Sequence, residues 1–209
     1  MRITKYGHSC LHVVDGDADI LLDPGTFSSG FEQLTGLTAV LITHEHADHV
    51  DLDRLPAVLA ANPQAAVYAD AGSATKLQDA GIAVTAVSAG QRIDVGTPVT
   101  VHGRSHAVIH ADIPVITNAQ YLIGGRLLHP GDSLEVPEVA VEVLALPAAA
   151  PWMAIKEAVD FYRTLSPRQA FPIHERILAN PGMAYGILDR LRPAGSSWQQ
   201  PEDGEQFEV

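Results

Sequence analysis

Hydrophobic residues in the first third of the chain occur in short runs of the length typical of β-strands. The runs "SCLHVV" and "ADILLD" are separated by Asp15, Gly16 and Asp17, a turn sequence that favours a tight hairpin. "TAVLIT", Thr38 to Thr43, has an uninterrupted apolar centre, which indicates a strand buried on both faces of its sheet. The chain is therefore expected to begin with a sheet.

The rest of the chain alternates between strand patterns and stretches with helical periodicity. Short apolar runs such as "AAVYAD", "PVTVHG", "VAVEVLAL" and "QAFPIH" are typical of strands. Four helices are predicted, the third with an apolar stripe that begins at Trp152. Two β-rich blocks, each followed by helices, predict an α/β protein whose two sheets pack together with the helices outside. The predicted helices span Leu52–Ala61, Ser73–Ala80, Trp152–Leu165 and Met183–Leu191.

A single domain is the expected organisation. The 209 residues are enough to bury one sizeable core, and no linker rich in glycine and serine divides the chain. We expect residues 1–193 to form this domain. The polar and acidic segment 194–209 is predicted to be a loose tail, with Trp198 as its one candidate anchor.

Composition argues against several classes of partner. The net charge is −12 and no run of Lys or Arg occurs, whereas binding to nucleic acid or to an anionic membrane depends on clustered cations. No stretch approaches the roughly 18 consecutive apolar residues of a membrane span, and the N-terminal residues have no signal-peptide pattern. The single cysteine, Cys10, excludes an intrachain disulfide, so a cytoplasmic protein is expected. The sequence leaves a homo-oligomer open.

The residues directly after the buried strand are rich in ionisable side chains. His44 and His46 lie two residues apart, so in extended backbone their imidazoles point the same way. Asp48 and His49 follow, where the next helix is expected to begin. Nitrogen and oxygen donors suit Zn²⁺ and similar ions, and four donors in so short a loop indicate two neighbouring ions. A solvated, acidic loop that caps the next helix is the alternative.

The segment "THEHADHVD" resembles the H-x-H-x-D-H signature of the metallo-β-lactamase superfamily. The opening, "ITKYGHSCLHV…ADILLDPGTF", is similar to that of the branch that includes the ascorbate-6-phosphate lactonase-like metal-dependent hydrolases. "HAVIHADIP", "HPGDS" and "FPIHE" then follow in the order that this branch uses for its remaining metal ligands. The likeness covers about residues 1–175. It implies a four-layer αβ/βα sandwich with the site at an edge where strand ends meet.

The resemblance implies seven ligands for two divalent ions per chain, with zinc first and manganese, nickel or iron as alternatives. One aspartate would bridge both ions, because two cations about 3.5–4 Å apart repel and need a shared anion between them. The implied ligands are His44, His46 and a third histidine for the first ion, Asp48, His49 and His174 for the second, and Asp132 as the bridge.

The third histidine has more than one candidate. His102, His106 and His110 are spaced four residues apart, so all three would face one way in straight β-structure. In the family this ligand precedes a small residue near the start of a loop, which favours His106 in "SHAV". His110 is the alternative, and it would otherwise line the substrate pocket. His102 ends a strand pattern, where a structural hydrogen bond is the usual role.

Three further residues match the opening of the family. Asp23 in "LLDPGTF" is predicted to accept a hydrogen bond from a metal-bound histidine, because such rings usually give their outer N–H to a carboxylate or carbonyl. His8 and Cys10 in "GHSC" match as well, but no role for either follows from the sequence. Cys10 is expected to pack as a small apolar side chain.

The predicted function is metal-dependent hydrolysis of a small molecule. A hydroxide that bridges two divalent ions would attack an ester, lactone, amide or phosphoester bond, and Asp48 would orient this nucleophile. An iron-dependent oxidoreductase or dioxygenase on the same fold is an alternative, although the diiron electron-transfer members carry a glutamate where His46 stands. A non-catalytic metal-binding protein is a third reading. It would be expected to lack a ligand, and every expected ligand type is present.

Overall fold

Two β-sheets and four α-helices make up the protein in a computed structural model that describes residues 1–209. A single 3₁₀ turn spans Phe31–Gln33. The helices are α1 Leu55–Ala61, α2 Ala71–Asp79, α3 Ile155–Leu165 and α4 Gly182–Arg190. The strands are β1 Arg2–Lys5, β2 Leu11–Asp15, β3 Ala18–Leu22, β4 Ala39–Ile42, β5 Ala66–Ala69, β6 Thr85–Ala86, β7 Arg92–Asp94, β8 Pro98–His102, β9 Gln120–Ile123, β10 Leu127–His129, β11 Val143–Pro147, β12 Gln169–Ile173, β13 Ser197–Trp198 and β14 Gln206–Glu208.

Each sheet has seven strands and combines an antiparallel half with a parallel half. The first has the order β14-β1-β2-β3-β4-β5-β6 and is parallel from β3 to β6. The second has the order β13-β12-β11-β10-β9-β8-β7 and is parallel from β10 to β13. Parallel neighbours need a crossover connection, and each helix supplies one. None of the four helices could span a membrane, since the longest, α3, has 11 residues.

The alternation of side chains along the strands builds three apolar layers. On β3, Ile20 and Leu22 point between the two sheets, whereas Leu21 faces the opposite side. That opposite side packs against α1 and α2, and the outer face of the second sheet packs against α3 and α4. The result is a single domain of helices, sheet, sheet and helices. The predicted four-layer αβ/βα sandwich is confirmed.

The start of α3 differs from the prediction. The helix begins at Ile155, because Ala154 is extended and its N–H donates to the Glu157 side chain at 2.7 Å. Trp152 therefore lies on the preceding loop rather than on the apolar stripe of the helix. This change moves its side chain to the edge of the sandwich where the strand ends meet.

The prediction of a loose C-terminal segment is wrong. Residues 194–209 supply one edge strand to each sheet: β13 pairs with β12, and β14 pairs with β1. Trp198 packs beside Tyr162 and Tyr185, with ring centroids 6.2 Å apart in both pairs, and Phe207 packs on Phe171 at 5.1 Å. The polar composition of this segment did not indicate strands, because an edge strand is held by backbone hydrogen bonds and few apolar side chains.

Candidate metal centre

The predicted donor residues lie at one edge of the sandwich, on loops that follow the strands. His44 comes just after β4 of the first sheet. Asp132 follows β10 and His174 follows β12, both in the second sheet. Because the two sheets pack face to face, these loops meet at the same edge. Residues remote in sequence are thereby brought together.

Two glycines allow the loops to approach closely. A Cβ on Gly25 would lie 1.8 Å from the carbonyl oxygen of Asp48, so no side chain fits there. A Cβ on Gly131, which has a φ of +57°, would lie 2.7 Å from the Cβ of Thr43. These glycines end the "DPG" and "HPG" turns of the sequence. Their role is close packing around the donor loops as well as turn formation.

Histidine and aspartate side chains gather in two groups, which we call the first and second donor clusters. Within each group the donor atoms lie within 4.8 Å of one another, a spacing suited to ligands of one ion. Both clusters are largely buried. All seven ligands that the resemblance implied are present, and one further histidine joins them. The first donor cluster is His44, His46, His106 and Asp132, and the second is His8, Asp48, His49 and His174.

Asp132 connects the two clusters. Its Oδ1 lies 3.1 Å from His49 Nε2, and its Oδ2 lies 3.3 Å from His106 Nε2. The same Oδ2 is 3.1 Å from His174 Nε2. This carboxylate therefore contacts rings of both groups, as expected of a bridging ligand.

Several buried donor atoms at this edge make no aligned hydrogen bond. They are the Nε2 atoms of His49, His106 and His174, and Oδ1 of Asp132. Leaving a buried polar atom without a partner costs about 1–3 kcal/mol, so such atoms are rare and need a reason. Nitrogen and oxygen donors that converge on shared space fit a divalent cation. The residues present thus suit a metal ion.

Four of the six histidine rings in the two clusters have a partner outside the clusters at Nδ1, their outer nitrogen. His49 Nδ1–H donates to the predicted Asp23, whose carboxylate also accepts the backbone N–H and the hydroxyl of Thr43. An outer hydrogen bond fixes the tautomer and leaves Nε2 free to bind an ion. The outer contacts are His44 Nδ1 to Thr43 Oγ1 at 3.1 Å, His49 Nδ1 to Asp23 Oδ2 at 2.7 Å, His106 Nδ1 to Ala107 O at 2.6 Å and His174 Nδ1 to Ala149 O at 2.7 Å.

Burial and neighbouring charges set the protonation of the site. Burial, with the help of His49, lowers the pKa of His44 well below its usual value. Burial opposes ionisation of Asp132, yet His49 and His174 hold its pKa well below the usual value. Burial also opposes ionisation of Asp48, but the hydrogen bond from His8 and the charge of His49 lower its pKa to about 2. Both carboxylates are therefore ionised at neutral pH.

Left-handed backbone conformations concentrate at this edge. His8, Asp23 and His174 have φ values of 52°, 44° and 64°, and Ser166 is the only other non-glycine residue in that region. Such conformations cost of order 1–3 kcal/mol and persist where the surroundings enforce them. Each of the three residues belongs to a donor cluster or hydrogen-bonds to one of its members. The chain therefore holds these side chains at a conformational cost.

The structure separates the two histidines between which the sequence left a choice. His106 is buried in the first donor cluster. The His110 side chain is 64% exposed, and its Nδ1 accepts the N–H of Asp112 within its own loop. It belongs to neither cluster. His102 ends β8, as its strand pattern predicted.

Sequence reasoning missed two residues at the centre. His8 joins the second donor cluster, and the only signal was its place in the family-like opening "GHSC". Trp152 donates its indole N–H to Asp132 Oδ2 at 2.8 Å, and its ring centroid is 5.7 Å from that of His106. No local signal excluded Trp152 from the helix, because a proline at position 151 is compatible with a helix that begins there.

A cleft of about 510 Å³ opens beside Trp152. Its walls are mostly apolar, with two acidic side chains, Glu157 and Asp160, and no lysine or arginine. Trp152 lines this cleft and also contacts Asp132, so the cleft adjoins the donor clusters. The apolar wall comprises Ala107, Val108, Leu134, Val136 and Phe161.

The fold and the two donor clusters define a metal-binding α/β sandwich. The chain belongs to the family described as the beta-lactamase superfamily domain, whose sequence model matches residues 2–174. It is 49% identical over 199 residues to Protein Rv0786c of Mycobacterium tuberculosis, an alignment that covers 91% of this chain and 92% of that protein. The narrower likeness to the lactonase-like branch stays a prediction.

Two further comparisons agree with this assignment. The UPF0173 metal-dependent hydrolase mll0680 of Mesorhizobium japonicum is 38% identical over 79 residues, which is 32% of this chain and 34% of that protein. The metallo-beta-lactamase fold protein YhfI of Bacillus subtilis superposes with a TM-score of 0.76 at 16% identity, and covers 100% of this chain and 98% of its own. At 16% identity, the likeness to YhfI supports the fold alone.

Proposed function

We propose that this protein is a metal-dependent hydrolase that holds two divalent ions, zinc in the first place, and cleaves a small molecule. The observation that carries the proposal is the pair of donor clusters joined by Asp132, with buried donor atoms that make no aligned hydrogen bond. The proposed ligands are those that the sequence predicted, with His106 as the third histidine of the first ion. Relatives named as metal-dependent hydrolases support the same reaction class.

The side chains of the centre have distinct tasks in this proposal. When bound, the two ions would lower the pKa of water to about 7 and stabilise negative charge on the substrate oxygen. Asp48 is ionised and its side chain is 22% exposed, so its carboxylate can orient an attacking water molecule. Trp152 holds Asp132 through its indole N–H, and Asp23 holds His49 through Nδ1. These contacts keep the donors in place while substrate binds.

The cleft beside Trp152 is the proposed place for the substrate. Apolar walls favour an apolar group on the substrate, and the acidic pair Glu157 and Asp160 disfavours an anionic one. An uncharged ester, lactone or amide therefore fits this cleft better than a phosphoester.

A cytoplasmic location stays a prediction that rests on the single, buried Cys10.

Metal content per chain, measured by elemental mass spectrometry, tests the proposal. The wild type is expected to carry about two zinc, manganese or nickel ions, and the His46→Ala/Asp48→Ala variant to lose them. A matched control is His12→Ala/Asp19→Ala, which removes a histidine–aspartate pair with a 2.7 Å contact at a distance from the centre. This control should retain full metal content.

The outcomes separate the alternatives. A single iron per chain would favour the oxidoreductase or dioxygenase. Absence of bound metal after refilling the wild type with zinc, manganese, nickel or iron would overturn the metal centre and the hydrolase together. With two ions present, uncharged apolar esters and lactones should be hydrolysed faster than phosphoesters of the same alcohol. Metal binding without any hydrolysis across such a panel would favour a non-catalytic protein.

A further inference from the structure

His8 is a fully buried histidine for which neither the sequence nor the proposed reaction supplies a role. It lies in the turn between β1 and β2, and its Nε2 is 3.0 Å from Asp48 Oδ2. Its ring also packs against that of His174, with centroids 4.0 Å apart and the ring planes tilted by 45°. The side chain is therefore in contact with two members of the second donor cluster.

The backbone of His8 is held in its left-handed conformation by the second sheet. Its carbonyl oxygen accepts the N–H of His174 at 3.2 Å, and its own N–H donates to Glu175 Oε1 at 3.3 Å. The same Glu175 oxygen forms a buried ion pair with Lys5 Nζ at 2.5 Å. A buried carboxylate in an ion pair has little freedom to move, so the backbone of His8 is fixed at its N–H by Glu175 and at its carbonyl oxygen by His174.

The hydrogen bonds of the ring distinguish a metal ligand from a positioning group. Buried rings such as His49 and His174 have an outer Nδ1 partner, which directs their Nε2 lone pair towards an ion. The Nδ1 of His8 is buried and has no partner. If Nε2 bound a metal, Nδ1 would have to carry a proton with no acceptor. With the proton on Nε2, the ring donates to Asp48 and leaves only a lone pair unmatched.

We propose that His8 is a positioning residue whose Nε2–H donates to Asp48 Oδ2 and holds this carboxylate in the second donor cluster. His8 does not bind the ion itself. The inference rests on the proposed function, because it assigns Asp48 to an ion. Loss of the hydrogen bond frees the carboxylate to rotate away, which weakens binding of one of the two ions.

Two amide variants test this role with little change in size or polarity. In His8→Gln the side-chain amide nitrogen can take the place of Nε2 and donate to Asp48. In His8→Asn the shorter amide ends near the position of Nδ1 and does not reach. Asparagine tolerates left-handed backbone well, so His8→Asn adds little strain. His12→Asn, at a histidine that pairs with Asp19 away from the centre, is the matched control.

The measurements are zinc affinity by chelator competition and the visible absorption of the cobalt-substituted proteins, with thermal unfolding as a check of folding. His8→Asn is expected to bind one of two zinc ions about 10–100-fold more weakly, the usual effect of losing a partner that orients a ligand. His8→Gln should recover most of that affinity. The cobalt spectrum of His8→Gln should match that of the wild type, because no ligand has been removed.

Three results would overturn the role, and they are distinguishable. Equal zinc affinity of His8→Asn and the wild type would mean that the hydrogen bond does not position Asp48. A changed cobalt spectrum and a lost ion in both variants would make His8 a ligand. Nitrogen NMR of the zinc-loaded wild type gives an independent answer, since a proton on Nδ1 rather than Nε2 of His8 excludes donation to Asp48. A wild type that binds no metal would overturn the proposed function itself.

Discussion

The two sheets supply donors to the candidate metal centre in different ways. In the first sheet one short loop after β4 carries His44, His46, Asp48 and His49. In the second sheet the donors come singly, from three loops that are far apart in sequence. Local spacing arranges the first group, whereas only the packing of whole elements arranges the second. Asp132 and His174 are accordingly held by contacts from outside their own loops, whereas His106 is held by the carbonyl oxygen of Ala107 in its own loop.

The supports of the second-sheet donors are specific contacts. Asp132 is held by the indole of Trp152 and, through its backbone N–H, by the side chain of Asn118. His174 is held by the carbonyl oxygen of Ala149. The comparison predicts that losing one second-sheet donor harms both clusters when that donor is shared, and one cluster when it is not.

Asp132→Asn is expected to have the largest effect. Asp132 contacts rings of both clusters, and an uncharged amide cannot neutralise two cations. Metal content should fall from about two ions towards none, and hydrolysis with it. Asp112→Asn, at an acidic side chain that is 89% exposed, is the control and should change neither. Retention of two ions by Asp132→Asn would show that Asp132 does not bridge the two ions.

His106→Ala should lose one ion, because His106 belongs to the first donor cluster only. His110→Ala should retain both ions, since its side chain is exposed and paired within its own loop. Metal content of the two variants, measured side by side, decides between these histidines. The reverse result, with metal lost in His110→Ala, would show that the loop from residue 107 to 117 rearranges when an ion binds.

Asp23→Asn tests the support of a first-sheet donor. An amide cannot accept from His49 and from both Thr43 donors at once, so the tautomer of His49 is no longer fixed. We expect about 10–100-fold weaker binding of one ion, measured by chelator competition. Asp19→Asn removes the carboxylate from the partly buried pair with His12 and should leave metal affinity unchanged.

Acid should destabilise the first-sheet loop in the metal-free protein. The folded-state pKa of Asp48 is about 2, below the usual value of 3.8. The unfolded chain therefore binds the proton first, and the stabilisation is complete above pH 3.8 and lost as the pH falls to about 2. The loss is about 2 kcal/mol at most. Urea unfolding between pH 2 and 5 measures how far the free energy of unfolding falls on acidification. This fall should be smaller for Asp48→Asn than for the wild type. The control, Asp53→Asn, should show the same fall as the wild type.

The sequence predicted the architecture well because the strands and helices depend on local periodicity. The hydrophobic run of β4 and the donors that follow it lie within a dozen residues, and a pattern of that length is visible without the fold. The sequence pattern did not predict the edge strands β13 and β14, because a strand at the border of a sheet needs few apolar residues. The position of Trp152 before the helix was not predicted either, because the start of α3 is set by a hydrogen bond between Ala154 and Glu157.

By itself the sequence determined the α/β class, the loop from His44 to His49 and the order of the remaining donor types. These features follow from side-chain periodicity and from residues that are neighbours along the chain. Only the tertiary structure decided that His106 rather than His110 faces the first cluster, that His8 reaches Asp48 and that Trp152 reaches Asp132. Such contacts join loops of different strands, so their geometry depends on how the two sheets pack and not on any local pattern.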